Sequence, residues 1–215
     1  MVEGFVFKEN YTVDDLREIM TILRRPDGCP WDREQTHESI RRDLIEETYE
    51  VIEAINKGSK DMLLEELGDL LMQVVFHAEI EREKGAFDFD DVADGICKKL
   101  ILRHPHIFGD VQVANSAEVL ANWDEIKKKE KAQKTVTDTL TGVARSLPAL
   151  MRAEKVIKKA KKGGYSTEFS DPDNEIGEKL FAVVREAREK GVDPERALER
   201  ATDAFIERVK EQENA

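Results

Sequence analysis

Between Met62 and Phe76 apolar residues cover nearly every side of a helix, yet the run also carries a carboxylate stripe, Glu66 and Asp69, with Glu65 beside it. At about 100° per residue, Leu63, Leu70 and Val74 flank the Glu66–Asp69 stripe on one side. Met62, Met72 and Phe76 flank it on the other, and Leu64, Leu71 and Val75 lie behind it. A helix apolar nearly all round is predicted to be buried. It belongs inside a helical assembly, and its acids need partners there, because an uncompensated buried carboxylate is unstable.

Helix signals continue along the chain. Thr12 caps a helix with Leu16, Ile19, Met20 and Leu23 on one face. It stops near Arg25, before the breaker cluster Pro26-Asp27-Gly28-Cys29-Pro30, a loop that Trp31 and Asp32 close. A second helix is expected from about His37 to Lys57, with Gly58 as its stop. A third starts near Ser59 or Lys60 and reaches about Lys84, before Gly85. Asp88 caps a fourth, which ends at Arg103 because His104-Pro105 cannot continue it. Asn115 and Glu118 form a capping box for a fifth, carrying Trp123 and Lys127.

The polar stretch from Lys131 to Gly142 reads as a linker, so domains are expected at 1–131 and 132–215. Beyond it lie a helix from about Pro148 to Lys162, stopped by Gly163-Gly164, and two helices opened by Asp171-Pro172 and Asp193-Pro194. No segment has a strand pattern, and the expected fold class is all-α.

The chain also repeats itself. Glu65-Glu66-Leu67-Gly68-Asp69-Leu70-Leu71 is similar to Asn174-Glu175-Ile176-Gly177-Glu178-Lys179-Leu180, and each copy runs on into an apolar helix and then another helix.

Charge narrows the partners. Charged residues make up 37% of the 215, and the net charge is −12. Long nucleic acid selects basic surfaces, so it is not expected as a partner. A small phosphorylated ligand remains compatible if metal ions bridge acid to phosphate. The two cysteines, Cys29 and Cys97, form no metal or disulfide pattern. No apolar run approaches the length of a membrane span and no signal-peptide layout opens the chain. A soluble, cytoplasmic protein with reduced thiols is expected.

Glu46, Glu47 and Glu50 precede the turn at Gly58-Ser59, and Glu66 and Asp69 follow it. Residues three apart on a helix are neighbours. An antiparallel helix pair would therefore bring Glu47–Glu50 face to face with Glu66–Asp69. Converging acids need cations, and an all-oxygen set selects hard ions, Mg²⁺ first and Mn²⁺ next. A di-iron centre would want Glu-x-x-His on its helices. Glu34 and His37 have that spacing only beside the breaker loop, and His77 lacks a Glu three residues earlier.

Lys99 and Arg103 share a helix face and suit phosphate oxygens. Lys127 follows Trp123 by one turn, and Trp123 either stacks on a base or packs in the core.

Gly28-Cys29-Pro30-Trp31-Asp32, Glu46-Glu47-x-x-Glu50, Glu66-x-x-Asp69, Arg103-His104-Pro105-His106 and Trp123, in that order, resemble the MazG family of nucleoside triphosphate pyrophosphohydrolases. The likeness runs from about Leu16 to Arg152. The acid pairs alone are shared with dimeric dUTP pyrophosphatases and phosphoribosyl-ATP pyrophosphohydrolases, and the Cys-Pro-Trp-Asp and Arg-His-Pro-His segments make it specific. The resemblance implies a MazG-like four-helix module, assembled as a homodimer or a dimer of dimers. It implies hydrolysis of nucleoside triphosphates between the α and β phosphates, giving a monophosphate and pyrophosphate. It makes Glu47, Glu50, Glu66 and Asp69 the Mg²⁺ ligands and has Glu46 orient or deprotonate the attacking water. Lys99, Arg103, Trp123 and Lys127 would line the nucleotide site.

The C-terminal copy departs from the pattern. Too little chain separates Gly164 from Asp173 for a helix with its own Glu-Glu-x-x-Glu. Glu-x-x-Asp becomes Glu175-x-x-Glu178, and Ala204 stands where Lys99 stands in the first copy, although Arg208 matches Arg103. The second copy is therefore expected to be degenerate and structural. A narrower dUTP or phosphoribosyl-ATP hydrolase and a non-catalytic nucleotide-sensing or partner-binding module are the competing functions.

Overall fold

The structure, a computed structural model, describes residues 5–130 and 134–214, apart from the side chain of residue 128. Among them there are only helices and no strand. Contacts divide the chain into two units, Met1–Val111 and Gln112–Ala215. The first holds α1 (Val13–Arg24), α2 (Pro30–Glu34), α3 (Arg41–Lys57), α4 (Lys60–Glu83), α5 (Phe89–Arg103) and α6 (Pro105–Phe108). The second holds α7 (Ser116–Glu130), α8 (Val136–Thr141), α9 (Ala149–Lys162), α10 (Glu175–Glu189) and α11 (Pro194–Glu213).

Helix α4 is the axis of the first unit, packing on α3, α1 and α5. Its core is Met20, Ile40, Val75, Phe76 and Ile80, with Leu16, Leu71, Met72 and Phe89 against it. Capping defines the ends. Thr12 and Asp15 form a capping box on α1, and Asp88 and Asp91 form one on α5. Arg24 ties three elements together. It grips Glu83 with Nε and Nη2 at 2.7 and 2.9 Å, donates Nη1 to the carbonyls of Asp32 and Gln35, and lies over the Phe76 ring. The loop before α2 needs Gly28, because a Cβ there would meet the Leu23 and Ile22 carbonyl oxygens at 2.3 and 2.4 Å.

Several expected boundaries move. Trp31 and Asp32 do not close a loop. They belong to α2, with Pro30 in its first turn, where a missing N–H costs nothing. The next helix begins at Arg41 rather than His37. The Thr36 N–H donates to Ser39 Oγ and the Ser39 N–H to Thr36 Oγ1, which holds this segment in a turn. The supposed linker contains α8, started by a capping box of Thr135 and Asp138. Lys131 to Gln133 of that stretch lie outside the described residues. Asp171-Pro172 forms a turn instead of opening a helix. The Asn174 N–H reaches the Asp171 carbonyl, and Asn174 Oδ1 caps α10.

The largest correction concerns α4. Within one chain it is buried only in its second half, at Gln73, Val75, Phe76, Ala78, Glu79 and Ile80. Leu64 is 77% exposed. Met20 of α1 and Phe89 of α5 pack on the Val75–Ile80 turns and leave the Leu64 end uncovered.

In the second unit α9 packs on α8, α10 and α11 around Ile157 and Val184. Among the described residues no helix is long and apolar enough to cross a membrane.

Candidate metal centre

The α3–α4 hairpin positions the acids. Gly58 caps α3 at φ +64°, a left-handed conformation that glycine adopts without a Cβ clash. Ser59 then caps α4 by accepting from the Met62 N–H. The two helices pack along their length with Ala54 fully buried. Carboxylates before and after this turn are thereby brought together.

Glu47, Glu66 and Asp69 each offer an oxygen within 4.8 Å of the others, and all three are half-buried. Among the described residues no second group of this kind occurs. Glu50 is half-buried too and lies outside the group of three, but its charge acts on both Glu47 and Glu66. Glu46 is exposed.

Burial first, then the charges of Asp69 and Glu50, push the Glu47 carboxyl above the usual carboxylate range. Burial first, then Glu50, Glu65 and Asp69, do the same to Glu66. Every main influence on these two raises them. The donor set fits a hard divalent ion: it is oxygen only and convergent.

The basic and aromatic candidates divide between the units. Lys99 is exposed and Arg103 half-buried on α5. Trp123 and Lys127 lie on α7 in the second unit, with the Lys127 ammonium 3.7 Å from the centre of the Trp123 ring. One ring face is therefore taken by a cation–π contact. Trp123 is half-buried, and its Nε1 is buried with no hydrogen-bond partner among the described residues.

Sequence reasoning missed a second polar group. His37 Nδ1 and His77 Nδ1 lie 2.7 Å apart, and His37 Nε2 is 2.6 Å from Glu81. The two rings stack. Burial and the neighbouring His37 hold the His77 imidazole below its ordinary value. His37 and His77, weighed above against a di-iron pattern, bond to each other here. Gln73 was missed as well. The signal was present: it is the one polar residue between Leu70 and Phe76, four residues after Asp69.

Residues 35–108, which hold all of α3, α4 and α5, match the MazG nucleotide pyrophosphohydrolase domain. Similarity to whole proteins extends further. A nucleoside triphosphate pyrophosphohydrolase of Escherichia coli K12 is 42% identical, covering 94% of this chain and 87% of that protein. The chain belongs to the MazG family. A nucleoside triphosphate pyrophosphohydrolase/pyrophosphatase MazG of Thermotoga maritima is also 42% identical, over 93% of this chain and 85% of its own length. A nucleoside triphosphate pyrophosphohydrolase of Mycobacterium tuberculosis is 42% identical over 86% of this chain and 54% of its own. The family match spans Glu46, Glu47, Glu50, Glu66, Asp69, Lys99 and Arg103, and the matches to whole proteins extend into the second unit.

Proposed function

We propose that this MazG protein hydrolyses nucleoside triphosphates to monophosphates and pyrophosphate at a Mg²⁺-dependent site of Glu47, Glu50, Glu66 and Asp69. The observation that carries the reading is the convergence of Glu47, Glu66 and Asp69, with the Glu47 and Glu66 carboxyls raised by burial and by their acidic neighbours. The names of the E. coli and T. maritima relatives supply the reaction class.

When bound, Mg²⁺ would neutralise phosphate charge and make a coordinated water more acidic; Mn²⁺ suits the same ligands. The chain's own residues do the rest. Glu47, Glu50, Glu66 and Asp69 hold the cation side of the site. Glu46, exposed beside Glu47 on α3, orients the attacking water and accepts its proton. Lys99 and Arg103 on α5 oppose the charge that grows on the departing pyrophosphate. The family resemblance assigns Trp123 to the base and Lys127 to phosphate; within α7 the Lys127 ammonium covers one face of the Trp123 ring. The reaction needs no covalent nucleophile, and the site belongs with the nucleotide pool of the cytoplasm.

The reading includes a homodimer or a dimer of dimers. Helix α3 exposes Ile45, Tyr49 and Ile52 at helical spacing, α5 exposes Val92, Ile96 and Leu100, and α4 exposes Leu64 and Leu67. Apolar faces of this extent mark interfaces. Sedimentation of Ile96→Glu and wild type tests it: the wild type runs above its 24.6 kDa chain mass and the variant shifts toward it. A wild type that stays monomeric at micromolar concentration removes this part of the proposal.

Pyrophosphate and monophosphate release from a panel of triphosphates, with Mg²⁺ and with excess chelator, tests the activity. Turnover of several triphosphates, abolished by chelator, is expected. Turnover of dUTP or phosphoribosyl-ATP alone would select the narrower enzyme. Binding without turnover would select the sensing module.

A further inference from the structure

Glu66, Asp69 and Gln73 follow one another at spacings of three and four, so they share one face of α4. Gln73 is 4% exposed, and its Oε1 is buried with no hydrogen-bond partner among the described residues. A buried amide oxygen without a partner is destabilising, because the water it gave up is not replaced. Leucine or methionine would fill the same space without that penalty. The run Leu70-Leu71-Met72-Gln73-Val74-Val75 thus holds a polar group that core packing alone does not call for.

Side chains on a helix lean toward its N-terminus. By that rule the Gln73 side chain is directed toward the turn that carries Asp69. One turn further on stands His77, whose Nδ1 is tied to His37, itself bonded to Glu81. The stripe behind Gln73 is fixed by that pair of rings, and ahead of it lie the converging carboxylates.

We propose that Gln73 is a positioning residue of the acidic site: its carboxamide oxygen accepts a hydrogen bond from the hydration shell of the divalent cation gathered by Glu47, Glu66 and Asp69. This rests on the reading of those acids as a divalent-metal site. Mg²⁺ keeps several of its waters, and each is a strong donor that needs an acceptor. A carboxamide provides one without charge. A further carboxylate would add to the repulsion already present among Glu47, Glu50, Glu66 and Asp69.

Mn²⁺ and Mg²⁺ are the probes, and the full chain is the sample. Gln73→Met removes the amide and keeps the length. Gln73→Asn keeps the amide and withdraws it by one methylene, and serves if Gln73→Met does not fold. Gln73→Glu restores the acceptor oxygen. Calorimetric titration with Mn²⁺ is read beside thermal melting in chelator and in saturating cation. Gln73→Met and Gln73→Asn are expected to bind Mn²⁺ about 10-fold more weakly. They should need correspondingly more Mg²⁺ for half-maximal turnover. Gln73→Met should also melt in chelator no lower than wild type, since an unpaired buried amide is gone. Gln73→Glu should bind more tightly than either. Wild-type Mn²⁺ affinity in Gln73→Met or Gln73→Asn overturns the inference and leaves the metal site standing. So does a Gln73→Met that melts lower in chelator with an unchanged Mn²⁺ affinity, which makes the amide a packing residue. A wild type that binds neither ion overturns both.

Discussion

Glu66 and Asp69 on α4 and Glu175 and Glu178 on α10 occupy matching places in the two repeats, and their carboxylates meet different neighbours. On α4 the acids face Glu47 from the preceding helix, and every main influence on Glu66 raises it. On α10 the acids are spent locally. Glu175 pairs with Lys179 one turn away, and Glu178 accepts from the Asp171 N–H and the Ser170 hydroxyl. The difference lies in what precedes each copy. A long helix with its own acids, closed by Gly58, stands before α4. Before α10 stands a short polar segment whose backbone uses Glu178 as an acceptor. The same acidic motif meets a converging carboxylate on α4 and local partners on α10.

The sharpest way to break this contrast is Asp69→Asn. The amide keeps the shape, removes a charge and weakens the metal ligand that the proposed function makes of Asp69. Turnover should fall by more than about 100-fold, beyond the upper range for groups that act one layer out. Its helical circular-dichroism signal should not change. Full activity of Asp69→Asn at limiting Mg²⁺ would mean that the α4 acids are no more catalytic than those on α10.

Much of this was legible in the sequence. Thr12, Asp88 and Asp193 were readable as caps because each side chain serves N–H groups two or three residues away. The acid pairs were readable because a helix fixes which residues share a face. Legibility ended where partners are distant or competition is subtle. His37 and His77 are 40 residues apart, and their bond depends on how the 36–40 turn meets α4. Helix α10 starts three residues late because Asn174 outcompetes Asp171-Pro172 as a cap. The apolar run on α4 was legible, but its pattern does not say which of its turns this chain covers, and the Leu64 end is exposed.

A smaller effect is expected in the metal-free protein. The Glu47 and Glu66 carboxyls are raised in the folded chain, by burial first and then by neighbouring acids. A raised carboxyl stabilises the fold fully below its unfolded value, about 4.3. That contribution is lost as pH rises through the raised folded value. In chelator, Glu47→Gln should therefore melt above wild type at pH 7, and the gap should close toward pH 4. Saturating Mg²⁺ at pH 7 should reverse the order, because only the wild type then gains the full cation. Melting curves at both pH values, with and without Mg²⁺, measure this. A gap that does not vary with pH would show that repulsion at Glu47 is not what distinguishes α4 from α10.

The smallest effects belong to α10. Glu175 is exposed and its ion pair with Lys179 is an i,i+4 contact. Such pairs contribute about 0.3–0.5 kcal/mol, so Glu175→Gln should be nearly silent. Glu178 is half-buried, and its carboxylate accepts from the Asp171 N–H at 2.8 Å. Glu178→Gln keeps a carbonyl acceptor at this place and loses only the charge-assisted part of that bond, about 1 kcal/mol. In a chain of this size that lowers the melting temperature by about 2–4 °C. Turnover and Mg²⁺ dependence should stay within about twofold of wild type, since neither residue meets a converging acid. The measurement is turnover against Mg²⁺ for the double variant Glu175→Gln/Glu178→Gln, at a temperature well below its melting point. A fall comparable to that of Asp69→Asn, in protein that keeps its helical signal and its assembly state, would make the second repeat part of a working site and erase the contrast between the two helices.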